Sequence, residues 1–144
     1  MKPQKYAGIL LHPTSLPGPY GIGDLGQNAY RFIDFLVKSG LNMWQVLPLG
    51  HTGFGDSPYQ PFSAFAGQPL IISPDHLKEL DLLDDADFAD MPSWNPEQVS
   101  YGEVIEFKYG LLKTAYERFC DNTYKDRFST DEELMKQYRT FCQS

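Results

Sequence analysis

Cysteine is nearly absent from this chain. Cys120 and Cys142 are the only two in 144 residues, too few for a disulfide framework and without metal-type spacing. No apolar run approaches the roughly 18–20 residues that span a bilayer. The basic start, Met1-Lys2-Pro3-Gln4-Lys5-Tyr6, is followed by Ile9-Leu10-Leu11, which breaks at His12-Pro13 and is too short for a signal peptide. Lys and Arg are scarce, 12 against 19 Asp and Glu, for a net charge of −7 that disfavours nucleic acid. A 42% hydrophobic and 15% aromatic content excludes wholesale disorder. The length fits one domain. These features predict a soluble, cytoplasmic chain with no nucleic-acid or membrane partner.

Charge is nearly missing from the front half. Residues 1–74 hold four basic side chains against three acidic ones, and no Glu precedes Glu79, whereas residues 75–144 hold eight basic against 16 acidic. Gly and Pro divide the other way, with ten of 12 Gly and nine of 11 Pro in the first 74 residues. The front is therefore loop-rich, and the back helical and solvated.

Ala7-Gly8-Ile9-Leu10-Leu11 suits a short buried strand. Ala29, Phe32, Ile33 and Leu36 fall on one helical face, which predicts a helix over 28–39 closed by Gly40. Trp44-Gln45-Val46-Leu47 is a second strand candidate, and strand–helix–strand predicts a parallel pair. Leu70-Ile71-Ile72 is a third short apolar run. Ser73-Pro74-Asp75 reads as a helix start with a capping Ser. An acidic, weakly structured connector is expected over 81–90. Val104, Phe107, Leu111, Ala115 and Phe119 define a long helix over 103–120. Thr130 and Glu133 form a capping box ahead of a last helix through Leu134, Tyr138 and Phe141. The chain has too few residues for an eight-unit barrel, which needs about 250.

Two loops invite a chemical reading. Gly21-Ile22-Gly23-Asp24-Leu25-Gly26 spells G-x-G-x-x-G, but nine residues separate it from its strand. Asp24 would also repel a pyrophosphate, and the second strand lacks the acidic end a ribose requires. A turn-rich loop fits better. The other loop runs from His51 through Phe54, Asp56, Ser57, Pro58, Tyr59, Gln60 and Phe62. It interleaves rings with short polar groups, the pairing a sugar needs for its apolar C–H face and its hydroxyls. Tyr59 is expected to face ligand, and Phe65 to anchor the loop in the core.

Acid–base groups are sparse. Glycoside cleavage ordinarily needs two carboxyl groups, yet these loops offer only Asp24 and Asp56. Each follows a Gly, so a turn-capping Asp is the plainer reading. His12, His51 and His76 lack metal-ligand spacing. Ser15 and Ser57 lack a nucleophile elbow. Cys120 is expected to pack inertly on the edge of its helix stripe.

The runs Gly8-Ile9-Leu10-Leu11-His12-Pro13-Thr14-Ser15-Leu16-Pro17-Gly18-Pro19-Tyr20-Gly21-Ile22-Gly23-Asp24-Leu25-Gly26, Trp44-Gln45-Val46-Leu47-Pro48-Leu49, Gly55-Asp56-Ser57-Pro58-Tyr59-Gln60 and Ser63-Ala64-Phe65-Ala66-Gly67 resemble the N-terminal region of the amylomaltase family, the 4-alpha-glucanotransferases or disproportionating enzymes. The similarity is ordered and specific over residues 7–83. It continues more loosely through Tyr101-Gly102-Glu103-Val104-Ile105 and Phe107-Lys108. It implies an α/β fold: the N-terminal part of a (β/α)8 TIM-type barrel, with the first strand–helix–strand unit over 1–50 and a substrate loop with a mostly helical insertion subdomain over 51–144.

The resemblance further implies transfer of α-1,4-glucan segments to a 4-hydroxyl through a covalent glycosyl-enzyme. Ser57 and Tyr59 match residues lining the donor sugar subsites, and Asp56 and Pro58 shape the same turn. No cofactor or metal is called for. The implied partners are maltooligosaccharides, α-1,4-glucans and the C-terminal remainder of the barrel. Family members are several times longer, and their nucleophilic Asp, acid/base Glu and third Asp lie on later strands. The chain is thus expected to be an N-terminal fragment or a truncated reading frame, inactive alone. A non-catalytic glucan-binding or interaction module is the rival reading.

Overall fold

The computed structural model describes residues 6–51, 57, 59, 60, 63, 65–121, 136, 137, 139, 140 and 143. The predicted capping box at Thr130 and Glu133, and Leu134, Tyr138 and Phe141 of the last helix, lie outside the described residues.

Strand β1 (Gly8–Leu10) and strand β2 (Met43–Gln45) pair in parallel, with Gly8 opposite Met43, Ile9 opposite Trp44 and Leu10 opposite Gln45. Both are shorter than the apolar runs that announced them. The pairing is close: a Cβ on Gly8 would meet the Met43 carbonyl at 2.2 Å. Between them runs helix α1 (Gln27–Lys38), and Gly40 takes the positive φ of 70° that its predicted stop requires. Trp44 fastens the unit together. Its ring meets Phe32 of α1 edge-on at 5.0 Å, and its indole N–H donates to the Leu11 carbonyl at 2.8 Å. On the predicted α1 stripe, Ala29 and Leu36 are buried, while Ile33 is 43% exposed.

The second layer is helical. The run at residues 70–72 becomes a 3-10 turn at Pro69–Ile71, because Pro69 lacks a ladder donor and the Gln68 side chain caps Leu70. Helix α2 (Pro74–Glu79) and helix α3 (Tyr101–Cys120) follow. Ser73 precedes α2 as predicted, but its side chain makes no capping bond.

The acidic stretch 81–90 is ordered rather than weakly structured. Asp84 and Asp87 complete a capping box on a 3-10 turn at Asp85–Phe88. Arg118 of α3 then clamps Asp87 through two hydrogen bonds of 2.6 and 2.9 Å and donates to the Leu82 carbonyl at 3.1 Å. Burial alone would push the Asp87 carboxyl up. The Arg118 guanidinium and the Asp84 backbone outweigh it and hold the group below the ordinary carboxylate range.

Leu82, Leu83, Leu111 and Ala115 form one buried cluster, flanked by Leu77, Phe88, Phe107 and Phe119. Ile22, Leu70 and Val104 form another, flanked by Trp94, Val99 and Tyr101. The second cluster binds the Gly-rich loop to α3. Cys120 is exposed rather than packed, since it ends the helix beyond the last buried position of the stripe. Among the described residues no helix is long and apolar enough to cross a membrane.

Candidate functional site

The loop after β2 is closed at its neck. Gly50 and Gly67 form an antiparallel bridge, and the Gln68 amide donates to the Leu49 carbonyl at 2.9 Å. His51 Nε2 lies 3.1 Å from the Tyr109 hydroxyl, tying the start of the loop to α3.

Within it, Ser57 and Tyr59 share one turn. The Ser57 Oγ accepts from the Tyr59 amide at 3.3 Å, and the Ser57 carbonyl accepts from the Gln60 amide at 3.2 Å. Tyr59 is 67% exposed. Ser63 holds the next turn, its Oγ accepting from the amides of Phe65 and Ala66. Phe65 is 99% exposed, against the expectation that it anchors the core. The Phe65 and Ala66 amides bonded to Ser63 hold Phe65 in an exposed turn, and Leu70 supplies the core contact instead. Asp56, Pro58, Phe54 and Phe62 lie outside the described residues.

Asp24 is part of the scaffold. Its Oδ1 accepts from the Gly26 amide at 2.9 Å, the turn-capping role its neighbours suggest. Its Oδ2 sits 3.4 Å from Lys108 Nζ, which also donates to the Leu70 carbonyl at 2.7 Å. Burial pushes the Asp24 carboxyl above its ordinary range, partly offset by the Lys108 charge, and burial pulls the Lys108 ammonium down. With both oxygens engaged, Asp24 is a poor acid or base for a sugar. It also occupies the turn that a nucleotide phosphate would need. Beside it the Tyr20 hydroxyl donates to Asp75, and burial followed by that bond raises the phenol well above its usual range.

Sequence reasoning passed over Lys108 and Arg118. Lys108 falls four residues after Val104 and three before Leu111, on the apolar stripe itself. A Lys there implies a buried partner, because an unpaired buried ammonium is too costly. Among the described residues, no group of three or more His, Cys, Asp or Glu could hold a metal ion.

The described part of the loop thus sets the exposed Tyr59 ring beside the Ser57 side chain. Comparison with known proteins identifies the family. A family model described as 4-alpha-glucanotransferase matches residues 11–144. A 4-alpha-glucanotransferase of Synechocystis is 41% identical over 144 residues, covering 100% of this chain and 27% of the relative. One from Thermus thermophilus is 47% identical over 125 residues, covering 87% and 23%. The solved amylomaltase from Streptococcus agalactiae in complex with acarbose superposes with a TM-score of 0.76 at 38% identity, covering 92% of this chain and 27% of that one. The chain spans about a quarter of the length of the curated relatives it matches. By the family match across residues 11–144, this chain belongs to the 4-alpha-glucanotransferase family.

Proposed function

We propose that this chain is the donor-gripping N-terminal part of an enzyme that transfers α-1,4-glucan segments to the 4-hydroxyl of glucose or another glucan. The observation that carries the reading is the likeness to the amylomaltase–acarbose structure over 92% of the chain. Residues 1–50 form the first strand–helix–strand unit of a (β/α)8 barrel, and residues 51–144 the substrate loop and a helical insertion. Ser57 and Tyr59 line the donor subsites, while Asp56 and Pro58 set the turn that presents them. The Tyr59 ring covers an apolar sugar face, and the Ser57 hydroxyl donates to a sugar oxygen.

Retaining transfer needs two carboxyl groups about 5–5.5 Å apart, one attacking the anomeric carbon and one protonating the leaving oxygen. Asp24 is committed to Lys108 and Gly26, so that pair comes from the barrel remainder. Mixing the purified chain with maltotriose tests this division of labour. No glucose and no longer maltodextrins are expected from the chain alone. Turnover is expected when it is joined to the remaining three quarters of the Thermus thermophilus relative. Disproportionation by the isolated chain, or a folded chimera without activity, would overturn the reading.

A further inference from the structure

Two consecutive residues of α3 hold the two ends of the loop that bears Ser57 and Tyr59. On the returning side, Lys108 Nζ donates to the Leu70 carbonyl at 2.7 Å, and Val104, one turn earlier on the same helix face, shares a buried cluster with Leu70. On the outgoing side, the Tyr109 hydroxyl lies 3.1 Å from His51 Nε2. Neighbouring helix residues stand about 100° apart around the axis. Lys108 therefore points into the core, fully buried, while Tyr109 stands at the edge of the buried stripe and reaches the first residues of the loop. Between these anchors the two legs are joined to each other, the Gln68 amide to the Leu49 carbonyl at 2.9 Å and Gly50 to Gly67.

The anchors differ in kind. Gln68 and Leu70 are buried, so core packing already fixes the returning leg. Leu49, Gly50 and His51 are half-buried, and the outgoing leg depends more on its hydrogen bonds. A hydroxyl both donates and accepts, so the Tyr109 bond forms with either neutral tautomer of His51. A loop ordered before its ligand arrives loses less entropy on binding. We propose that Tyr109 is a positioning residue for the donor sugar: through His51 it holds the outgoing leg against the buried returning leg, so that Ser57 and Tyr59 meet the glucan from an ordered loop. Helix α3 thereby sets donor affinity without touching sugar. This rests on the reading of that loop as a glucan site.

Tyr109→Phe removes the hydroxyl and keeps the ring. In the 144-residue chain, hydrogen exchange of the Gln68 amide should quicken about threefold in this variant. The Leu11 amide, bonded to Gln45 beside the paired strands, should not change. His51→Ala should act on Gln68 in the same way, and the double variant should be no faster than the faster single one. An unchanged Gln68 amide, effects that multiply in the double variant, or a Leu11 amide that quickens equally would each overturn the proposal. The second arm uses the chimera with the Thermus thermophilus remainder. There Tyr109→Phe should raise KM for maltotriose about threefold and leave kcat unchanged, a loss of binding alone. Tyr59→Ala in the same chimera reports on the underlying site. If Tyr59→Ala alters the kinetics and Tyr109→Phe leaves KM unchanged, the loop is a glucan site that Tyr109 does not position. If Tyr59→Ala changes neither constant, the glucan reading itself fails and the proposal falls with it.

Discussion

Lys108 and Asp24 lie 84 positions apart in the chain and form a buried ion pair at 3.4 Å, the Lys108 side chain 0% and the Asp24 side chain 10% exposed. The pair joins α3 to the turn that opens α1, and through the Leu70 carbonyl it also secures the 3-10 turn after the loop neck. The strand–helix–strand unit and the helical layer thus share one polar fastening.

Breaking that fastening from one side should be expensive. Lys108→Met keeps the apolar stem but strands the Asp24 carboxylate, and losing one member of a buried pair costs about 3–5 kcal/mol. Asp24 can escape by taking a proton. Its folded pKa is already raised, and removing the neighbouring cation raises it further. For a group raised on folding, stability is present at low pH and lost as pH rises through the folded value. The urea midpoint of Lys108→Met should therefore fall further behind the parent at pH 8 than at pH 5. Adding Asp24→Asn should recover most of the loss at pH 8. A pH-independent deficit would show that packing, not charge, dominates.

Arg118 and Asp87 give the opposite pH signature. The folded Asp87 carboxyl titrates below its ordinary value. Its contribution is complete above the unfolded pKa of about 3.9 and disappears as pH falls through the folded value. Asp87→Asn should flatten that part of the acid-unfolding curve while lowering stability at pH 7. Urea midpoints between pH 2.5 and 6 measure both effects. A parent and variant with parallel curves would remove Asp87 from the account.

The outer surface of α1 predicts association. Tyr30, Phe35 and Val37 are 53%, 52% and 69% exposed, and Leu10 and Met43 on the paired strands are 56% and 46% exposed. Among the described residues the parallel sheet holds only β1 and β2, so its outer edges are a template for further pairing. Sedimentation velocity should show mass rising with concentration in the micromolar range. Phe35→Lys with Val37→Glu should shift the distribution toward monomer. A sharp monomer boundary for the parent at all concentrations would refute this.

The parts legible in the sequence are those set by neighbours along the chain. Apolar runs announced β1 and β2, the 3.6-residue spacing announced α1 and α3, and Gly40 marked the α1 stop. Asp24 as a turn cap was readable from its Gly neighbour, and the turn carrying Ser57 and Tyr59 was implied by the family resemblance. What escaped was set by partners far away. The order of residues 84–88 depends on Arg118, 31 positions beyond Asp87. Pro74 at the start of α2 made Ser73 look like a cap, but its hydroxyl is buried without a partner among the described residues. Phe65 has the composition of a core residue and the backbone bonds of a projecting one.

Tyr59 offers the sharpest test of the proposed site. Its amide is held by Ser57 Oγ while its ring is largely exposed, so the backbone is ordered before any sugar arrives. Preordering lowers the entropy lost on binding. In the chimera with the Thermus thermophilus remainder, Tyr59→Ala removes ring and hydroxyl together, and Tyr59→Phe removes the hydroxyl alone. If the ring's contact with sugar dominates, Ala should raise KM for maltotriose about tenfold and Phe should change little, a loss of uniform binding. If the hydroxyl acts on the reacting centre, Phe should lower kcat with KM nearly unchanged. Ser57→Ala adds a control: it removes the support of the Tyr59 amide together with the proposed donor to sugar, so its effect on KM should at least equal that of Tyr59→Phe. Steady-state kinetics, with thermal melts of each variant alongside, separate these outcomes. Tyr59→Ala that lowers the melting temperature yet leaves kcat and KM untouched would make Tyr59 a packing residue of the loop and remove it from the donor site.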